Sequence, residues 1–360
     1  MPSPAVATIT TSPTLRQMSP TRPALTPQAA HRLLRGEIMP VVGCTEPAAI
    51  GYALRLLTQH LPHPVQPGRW RVILRISREA LRNASTAVVP HLRVRGVRAA
   101  AAAGIASSAN DFNIFAAVDL RRARAFLRAS DWLEIVPVRR CGLYVQARLV
   151  GQPTSVTLAG RHDHIKQWMV AGRDRTPVAN QMPRPPTLAD IFRLVRARNR
   201  RLENLARDFL LQQVPAEPGH TLETQIARRI TGRMTGFAHP VMTITGSGNQ
   251  GIFIALPYRA LLAKMGDAIL PAVVFTLLAQ VYLTAKHKRL SAECGIATKA
   301  APALAAGLAF ARGAGPAEVR RIFRAIPAQL AGLTCEGAEP ACGRKARQAF
   351  RAVAPWLAAL

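Results

Sequence analysis

Apolar positions follow two regimes along the chain. Between residues 70 and 160 they come in short runs, 70–76, 133–138, 143–149 and 154–158, parted by Gly142 and by Gly151-Gln152-Pro153. Such runs predict strands with tight turns. Residues 97–108 and 120–129 lie between them and carry the alanine and leucine spacing of helices. Beyond Pro185-Pro186 the runs lengthen and take the helical period: 188–198, 202–211, 222–234, 268–286, 300–311, 316–330 and 343–357 each predict a helix. Near the start, Thr26 is a capping residue and Pro27 suits a first helical position, so a helix is expected to run from there towards Glu37. A second follows the turn at Gly43-Cys44-Thr45-Glu46, led by Pro47, with Ala48, Ile50, Leu54 and Leu57 as its apolar face. The pattern therefore predicts an α+β chain, an N-terminal mixed α/β domain over 26–180 followed by a predominantly helical C-terminal domain over 187–360. The proline-rich crossing near 175–187 is the expected boundary. Residues 1–25, rich in Pro, Ser, Thr and Ala, are expected to form a mobile tail.

With 360 residues and 49% apolar content the chain is not disordered as a whole. Its longest apolar stretch, 269–285, contains Pro271 and Gln280 and falls short of the roughly 20 residues of a membrane span, so it predicts a buried helix and no membrane partner. No secretory apolar segment follows the first methionine. Five cysteines, an odd and unevenly spaced set, do not make a disulfide framework. Reduced thiols and a cytoplasmic location follow.

Net charge is +29, from 48 basic and 19 acidic residues. A charge of this size attracts polyanions. The arginines are nevertheless spread over the whole sequence, aromatic content is 5%, and there is no zinc-finger spacing. Specific nucleic-acid recognition is therefore disfavoured. A non-enzymatic, basic nucleic-acid-binding or regulatory protein is the alternative reading.

The chemistry is concentrated in four places. Cys294, Cys335 and Cys342 cluster near the C-terminus among small residues, and Gly337 and Pro340 between the last two favour a loop. Three thiols of this kind are either ligands of a soft metal centre or small buried hydrophobes. If ligands, they lack an obvious fourth, which suits an iron–sulfur cluster with one open iron better than a closed zinc site; His239 or His287 would complete a zinc alternative. Second, Thr243 to Gly251 places three glycines among Ser247, Asn249 and Gln250, a polar loop whose amides can cradle a small anion. It lacks the ending of a nucleotide P-loop. Third, Cys44, Thr45 and Glu46 precede a helix where its dipole favours a thiolate, so Cys44 reads as a base, an exchangeable ligand or part of a capping turn. Fourth, His162-Asp163-His164 reads as an extended segment with both histidines on one side. Asn83 falls in a polar break after the first strand, and Cys141 in a hairpin without a role.

In combination these motifs resemble the iron–sulfur serine dehydratase alpha-chain-like family, in particular its L-cysteine desulfidase branch, formerly an uncharacterised protein family. The resemblance spans about 30 to 355. It is carried by Gly43-Cys44-Thr45-Glu46-Pro47, Arg82-Asn83-Ala84, the His162 segment, 239–252, 286–295 and 332–342. It implies a [4Fe-4S] cluster on Cys294, Cys335 and Cys342, and pyridoxal-independent α,β-elimination from a small L-amino acid, cysteine or serine. Cys44 would be the catalytic base or substrate-side thiol. Thr45, Glu46, Asn83, His162, Ser247, Asn249 and Gln250 would bind substrate, and a homodimer is compatible with the pattern. The chain departs from the family where Ile244-Thr245 replaces Asn-Ser, where His162-Asp163-His164 replaces His-Thr-Asn, and where Glu336-Gly337-Ala338-Glu339 replaces Asp-Gly-Ala-Lys.

Overall fold

The structure, a computed structural model, describes residues 23–360 except 62, 64, 179–181, 216 and 218. Most of the expected tail, residues 1–22, lies outside the described residues. Thr26 caps α1 (Pro27–Glu37) by accepting from the Ala29 amide at 3.2 Å, with Pro27 in the first turn. Then come β1 (Pro40–Val42) and α2 (Thr45–Thr58), which starts at Thr45 so that Pro47 falls within its first turn. β2 (Val72–Ser77) runs directly into α3 (Arg78–Thr86), a helix absent from the sequence expectation, which had placed Asn83 in an irregular break. β3 (Val88–Val89), β4 (Val94–Arg95), α4 (Val97–Ile105) and α5 (Leu120–Arg128) lead to β5 (Leu133–Val138), β6 (Tyr144–Leu149), β7 (Ser155–Ala159), β8 (Ile165–Val170) and β9 (Arg173–Asp174).

The main sheet has the order β5-β2-β6-β7-β8-β9. β2 and β5 are parallel, and the other pairs are antiparallel. β2 thus lies between β5 and β6, so the segment holding Cys141 is not the turn of a hairpin: the strands it joins do not pair with each other. The alternating burial of β2 and β6 puts Val72, Leu74, Ile76, Val145, Ala147 and Leu149 into the core. The nearly continuous apolar helix α2 packs on β6, β7 and α4. Its closest approach is to α4, where a Cβ on Gly104 would stand 2.1 Å from the Gly51 carbonyl, so glycine there sets the crossing distance.

Beyond this point the chain is predominantly helical: α6 (Leu188–Arg196), α7 (Arg200–Leu211), α8 (Leu222–Met234), α9 (Gly248–Met265), α10 (Leu270–His287), α11 (Ala301–Ala311), α12 (Pro316–Gln329) and α13 (Ala341–Ala358), with β10 (Pro240–Met242) the one strand there among the described residues. The expected α+β class is observed. The stretch Gly248–His287 is apolar and long enough to cross a membrane, but 78% of its most apolar window is buried inside the fold. A core helix passes the same length test. β1 pairs antiparallel with β10, Pro40 opposite Met242 and Val42 opposite Pro240. Amides of the following loop extend this tie, Thr243 to the Met39 carbonyl at 2.8 Å and Thr245 to the Glu37 carbonyl at 3.0 Å. The loop before α9 is thereby held beside the start of α2.

Candidate active site

Glu46 is the hub of one wall of the site. It is buried in the first turn of α2 and accepts from four side chains: the Cys44 thiol at 3.1 Å and the Thr45 hydroxyl at 3.2 Å on Oε2, the Asn83 amide at 3.2 Å and His162 Nε2 at 3.4 Å on Oε1. Burial alone would raise its pKa. Hydrogen bonding and charge from His162, then donation from Cys44, reverse this and hold the carboxyl at about 2. Cys44 responds in the opposite sense: burial first, and then the Glu46 charge, push its thiol well above the usual range, although Arg233 draws it down. The dipole argument for a Cys44 thiolate is thus outweighed, and the resting group is a thiol donating to a carboxylate.

His162 reaches this wall from a turn rather than from an extended strand. Gly160 bends the chain after β7, Asp163 pairs with Arg161 at 2.9 Å, and the exposed His164 meets the Ala159 carbonyl at 3.0 Å. The two histidines therefore do not share a face, and only His162 enters the site.

The loop before α9 builds the second wall. Ser247 caps α9 through the Gln250 amide at 3.4 Å, Asn249 accepts from Arg233 Nη1 at 2.9 Å, and Gln250 receives the Gln280 side-chain amide. Gln280 also donates to Thr245 at 3.0 Å, and the Thr284 hydroxyl to Thr245 at 3.2 Å. These buried amides and hydroxyls hold one another in place.

The third wall carries the cysteines. A single antiparallel bridge between Glu293 and Thr334 aligns the two segments: the Cys294 amide donates to Leu333 at 2.8 Å, and the Cys335 amide to Ala292 at 2.7 Å. Cys342 lies in the first turn of α13, after the loop that Gly337 and Pro340 predict, and its thiol reaches the Gly337 carbonyl at 3.5 Å. α3 joins this wall to the first: Asn83 Oδ1 is the 3.8 Å partner of the Cys335 thiol, and Thr86 accepts from the Ala338 amide at 2.9 Å. A Cβ on Gly337 would stand 2.4 Å from the Thr86 hydroxyl.

All these walls face one cavity of about 110 Å³. It is of the order of cavities that admit a benzene-sized molecule, about 150 Å³. Cys44, Thr45, Glu46, Asn83 and His162 line it from the N-terminal half; Ser247, Asn249, Gln250, Cys294, Cys335 and Cys342 line it from the helical half. Every residue that the family resemblance assigns to the site is thus at one place, whereas His164, His239 and His287 do not line the cavity. Among the described residues no three His, Cys, Asp or Glu side chains converge tightly enough to hold a single metal ion.

Two buried cations that sequence reasoning did not single out line the same cavity. Arg233, in the last turn of α8, lies beside Cys44, Glu46 and Cys342; burial lowers its pKa, and negative charge on these neighbours, when they are ionised, opposes that. Its Nε and Nη2 have no acceptor among the described residues. Lys299 sits in a turn of π-helix, Ile296–Ala300, just past Cys294. It donates to the carbonyls of Lys288 at 2.8 Å and Arg289 at 3.0 Å, and burial lowers its pKa to about 8, against the pull of Cys294. With 48 basic residues in the sequence, neither stands out by type; the nearest signal is that each is within a few residues of a motif. Glu339, the charge reversed relative to the family pattern, does not line the cavity, whereas Lys345 does, held to Glu336 at 2.9 Å.

A profile described as the serine dehydratase alpha chain matches residues 162–360. The chain belongs to the serine dehydratase alpha-chain family. The matched span contains His162, the loop before α9 and all three C-terminal cysteines; Cys44, Glu46 and Asn83 fall outside it. Longer similarities extend beyond this span. The chain is 27% identical to a UPF0597 protein of Nitratidesulfovibrio vulgaris strain Hildenborough, over 86% of this chain and 84% of the relative. It is 23% identical to a UPF0597 protein of Caldanaerobacter subterraneus subsp. tengcongensis, over 87% and 83%. A UPF0597 protein of Clostridium botulinum strain Loch Maree is 24% identical, over 87% and 82%. Membership of this family supports elimination chemistry of the lyase type in general.

Proposed function

We propose that the protein eliminates the β-substituent of a small L-amino acid, L-cysteine or L-serine, without pyridoxal phosphate, using a [4Fe-4S] cluster on Cys294, Cys335 and Cys342. The observation that carries the proposal is the gathering of these three thiols with Cys44, Glu46, Asn83, His162 and the loop before α9 around one cavity. The donor set fits the cluster. A single ion draws its thiolates to a point, whereas a cluster takes one thiolate per iron and needs them distributed round a cavity wall. The buried Arg233 and Lys299 suit a site that must hold anionic sulfur and a substrate carboxylate. When bound, the cluster would supply an open iron acting as a Lewis acid on the leaving group.

The chain's own residues provide the rest. The Ser247-to-Gln250 loop, at the N-terminus of α9, and Asn83 offer amide and hydroxyl donors to the substrate carboxylate and orient it. Glu46, held ionised, attracts the substrate ammonium and aligns Cys44, Thr45 and His162. Cys44 handles the α-proton, and for this its thiol must first ionise, a change that the charge of Arg233 favours. As the Cα–H bond gives up its proton, its electron pair forms the Cα=Cβ bond and the Cβ–S or Cβ–O bond breaks, the pair leaving with hydrosulfide or hydroxide. The resulting aminoacrylate tautomerises to an imine, which water converts to pyruvate and ammonium. Free thiols at all five cysteines are compatible with a reducing compartment, and the cytoplasm is proposed.

Anaerobic purification followed by iron, sulfide and pyruvate assays tests the reading. About four irons per chain are expected, lost in Cys294→Ser, Cys335→Ser and Cys342→Ser alike, with pyruvate released from one of the two amino acids. A chain that stays colourless, iron-free and inactive after anaerobic cluster reconstitution would refute the proposal. Sulfide release measured beside pyruvate separates cysteine from serine.

A further inference from the structure

A second cavity, of about 490 Å³, is formed by α8, α13 and the turn after α8. Its size is ordinary for a small-molecule site. Arg228 and Arg229 from α8 and Arg344 and Arg347 from α13 line it, with Glu217 the one carboxylate in the lining. Glu217 pairs with Arg228 at 3.0 Å and Arg229 at 3.3 Å, and Arg347 reaches Glu223 at 3.6 Å. Among the described residues, no acidic side chain pairs with the exposed Arg344. Among the described residues the buried Nε of Arg229 has no hydrogen-bond acceptor, and the buried Nε of Arg347 has only the Glu223 carboxylate, at 3.6 Å. Guanidinium groups lining a groove offer donors to acceptor oxygens, and the planar fork of arginine matches phosphate oxygens two at a time. Phe237 adds a flat apolar face: it is 43% exposed, and the His239 ring stacks on it at 4.4 Å between centroids.

We propose that this groove binds an oligophosphate, with the phosphates bridging Arg228 on α8 to Arg344 and Arg347 on α13 and, if the oligophosphate is a nucleotide, its base on Phe237. The scatter of arginine through the sequence accounts for single exposed cations but not for four directed at a groove with one carboxylate. The two helices it would join are in direct contact. A Cβ on Gly343 would stand 2.1 Å from the Thr231 hydroxyl and 2.5 Å from the Ala227 carbonyl. Gly343 follows Cys342, and Gly232 precedes Arg233, so the groove shares its walls with the backbone of two residues of the catalytic cavity. An occupant would brace that crossing, which makes the groove a regulatory site in position.

Calorimetry and thermal melting of the metal-free full chain at about 0.15 M salt, where long-range attraction is largely screened, test this with inorganic triphosphate, ATP and adenosine. One saturable triphosphate site and a raised melting temperature are expected. Arg344→Glu should abolish both, and Arg228→Gln, a milder change on the other helix, should weaken binding about tenfold, an effect of the size expected for one lost charge-assisted contact. Tighter binding of ATP than of triphosphate, with the difference erased in Phe237→Ala, identifies a nucleotide; equal affinity identifies a free oligophosphate. No saturable binding of either, or binding unchanged in Arg344→Glu, overturns the proposal. Because no iron is present in the assay, its outcome is independent of the elimination reading.

Discussion

Gly246 lies so close to His162 that a β-carbon built on it would stand 2.4 Å from the ring Nδ1. The loop before α9 can approach the histidine only because that position has no side chain, and its φ of +78° is the left-handed conformation that glycine adopts freely. Among the described residues, His162 Nδ1 is itself buried without a hydrogen-bond partner. The ring is therefore held by Glu46 on one side and by bare backbone on the other. Gly246→Ala must both strain the backbone and displace the ring. It is expected to destabilise the fold by roughly 2 to 5 kcal/mol, read as a lowered urea midpoint at unchanged slope. A midpoint equal to wild type would mean that the loop and His162 are not in contact in solution.

Glu46 makes stability depend on acid. Its folded pKa, about 2, lies below the ordinary 4.5, so its contribution is complete above about pH 5 and is lost as pH falls through 2. The difference is worth about 3 kcal/mol. Glu46→Gln should be less stable than wild type at pH 7 and should lose less on acidification between pH 5 and 2. The same substitution removes a charge that raises the Cys44 pKa, whereas Arg233→Met removes one that lowers it. Alkylation of Cys44 at pH 8, followed by peptide mass spectrometry, should therefore quicken in the first variant and slow in the second. Equal rates in both would show that Cys44 does not sense either charge.

Lys299 gives the opposite limb. Burial lowers its pKa from 10.5 to about 8, so between those values the unfolded chain binds more protons and stability rises with pH. The gain approaches about 3 kcal/mol by pH 10.5. Lys299→Met should lack that rise, and the wild-type minus variant difference, measured on the metal-free chain, should grow steadily above pH 8. A difference that does not change with pH would place the ammonium in water.

The helices that build the core were legible from periodicity alone, because α6, α7, α8, α10, α11, α12 and α13 each carry a long apolar face or are apolar throughout. α3 was not. It is nine residues long, its Ser77 cap makes no side-chain bond, and only Ala80, Asn83 and Ala84 are buried, too few positions to set a period. α9 was hidden differently: it is buried nearly all round for its first turns and contains Pro257, so it lacks an amphipathic signature. The motifs gave the cavity its cysteines and its glycine loop, since spacing and residue type survive in the sequence. They did not give Arg233 or Lys299. What distinguishes those two from the other basic residues is burial, and burial depends on which helices meet.

Asn83, on the helix that the sequence hid, connects the two chemical walls, since its amide nitrogen serves Glu46 and its oxygen the Cys335 thiol. Replacing the donor with a second carboxylate in Asn83→Asp sets two negative charges where the structure has a charge-assisted bond. One carboxyl of such a pair takes up a proton well above the ordinary range, and the pair titrates as a unit. Asn83→Asp should therefore be destabilised most at pH 7, by roughly 3 to 5 kcal/mol for a broken buried charge contact, and should recover as pH falls towards 5. Wild type, by contrast, only loses stability on acidification. Asn83→Ala removes the donor without adding charge and should cost about 1 to 3 kcal/mol with little dependence on pH over the same interval. If Asn83→Asp and Asn83→Ala give parallel stability curves between pH 7 and 5, position 83 does not face Glu46, and α3 does not link the carboxylate wall to the cysteine wall.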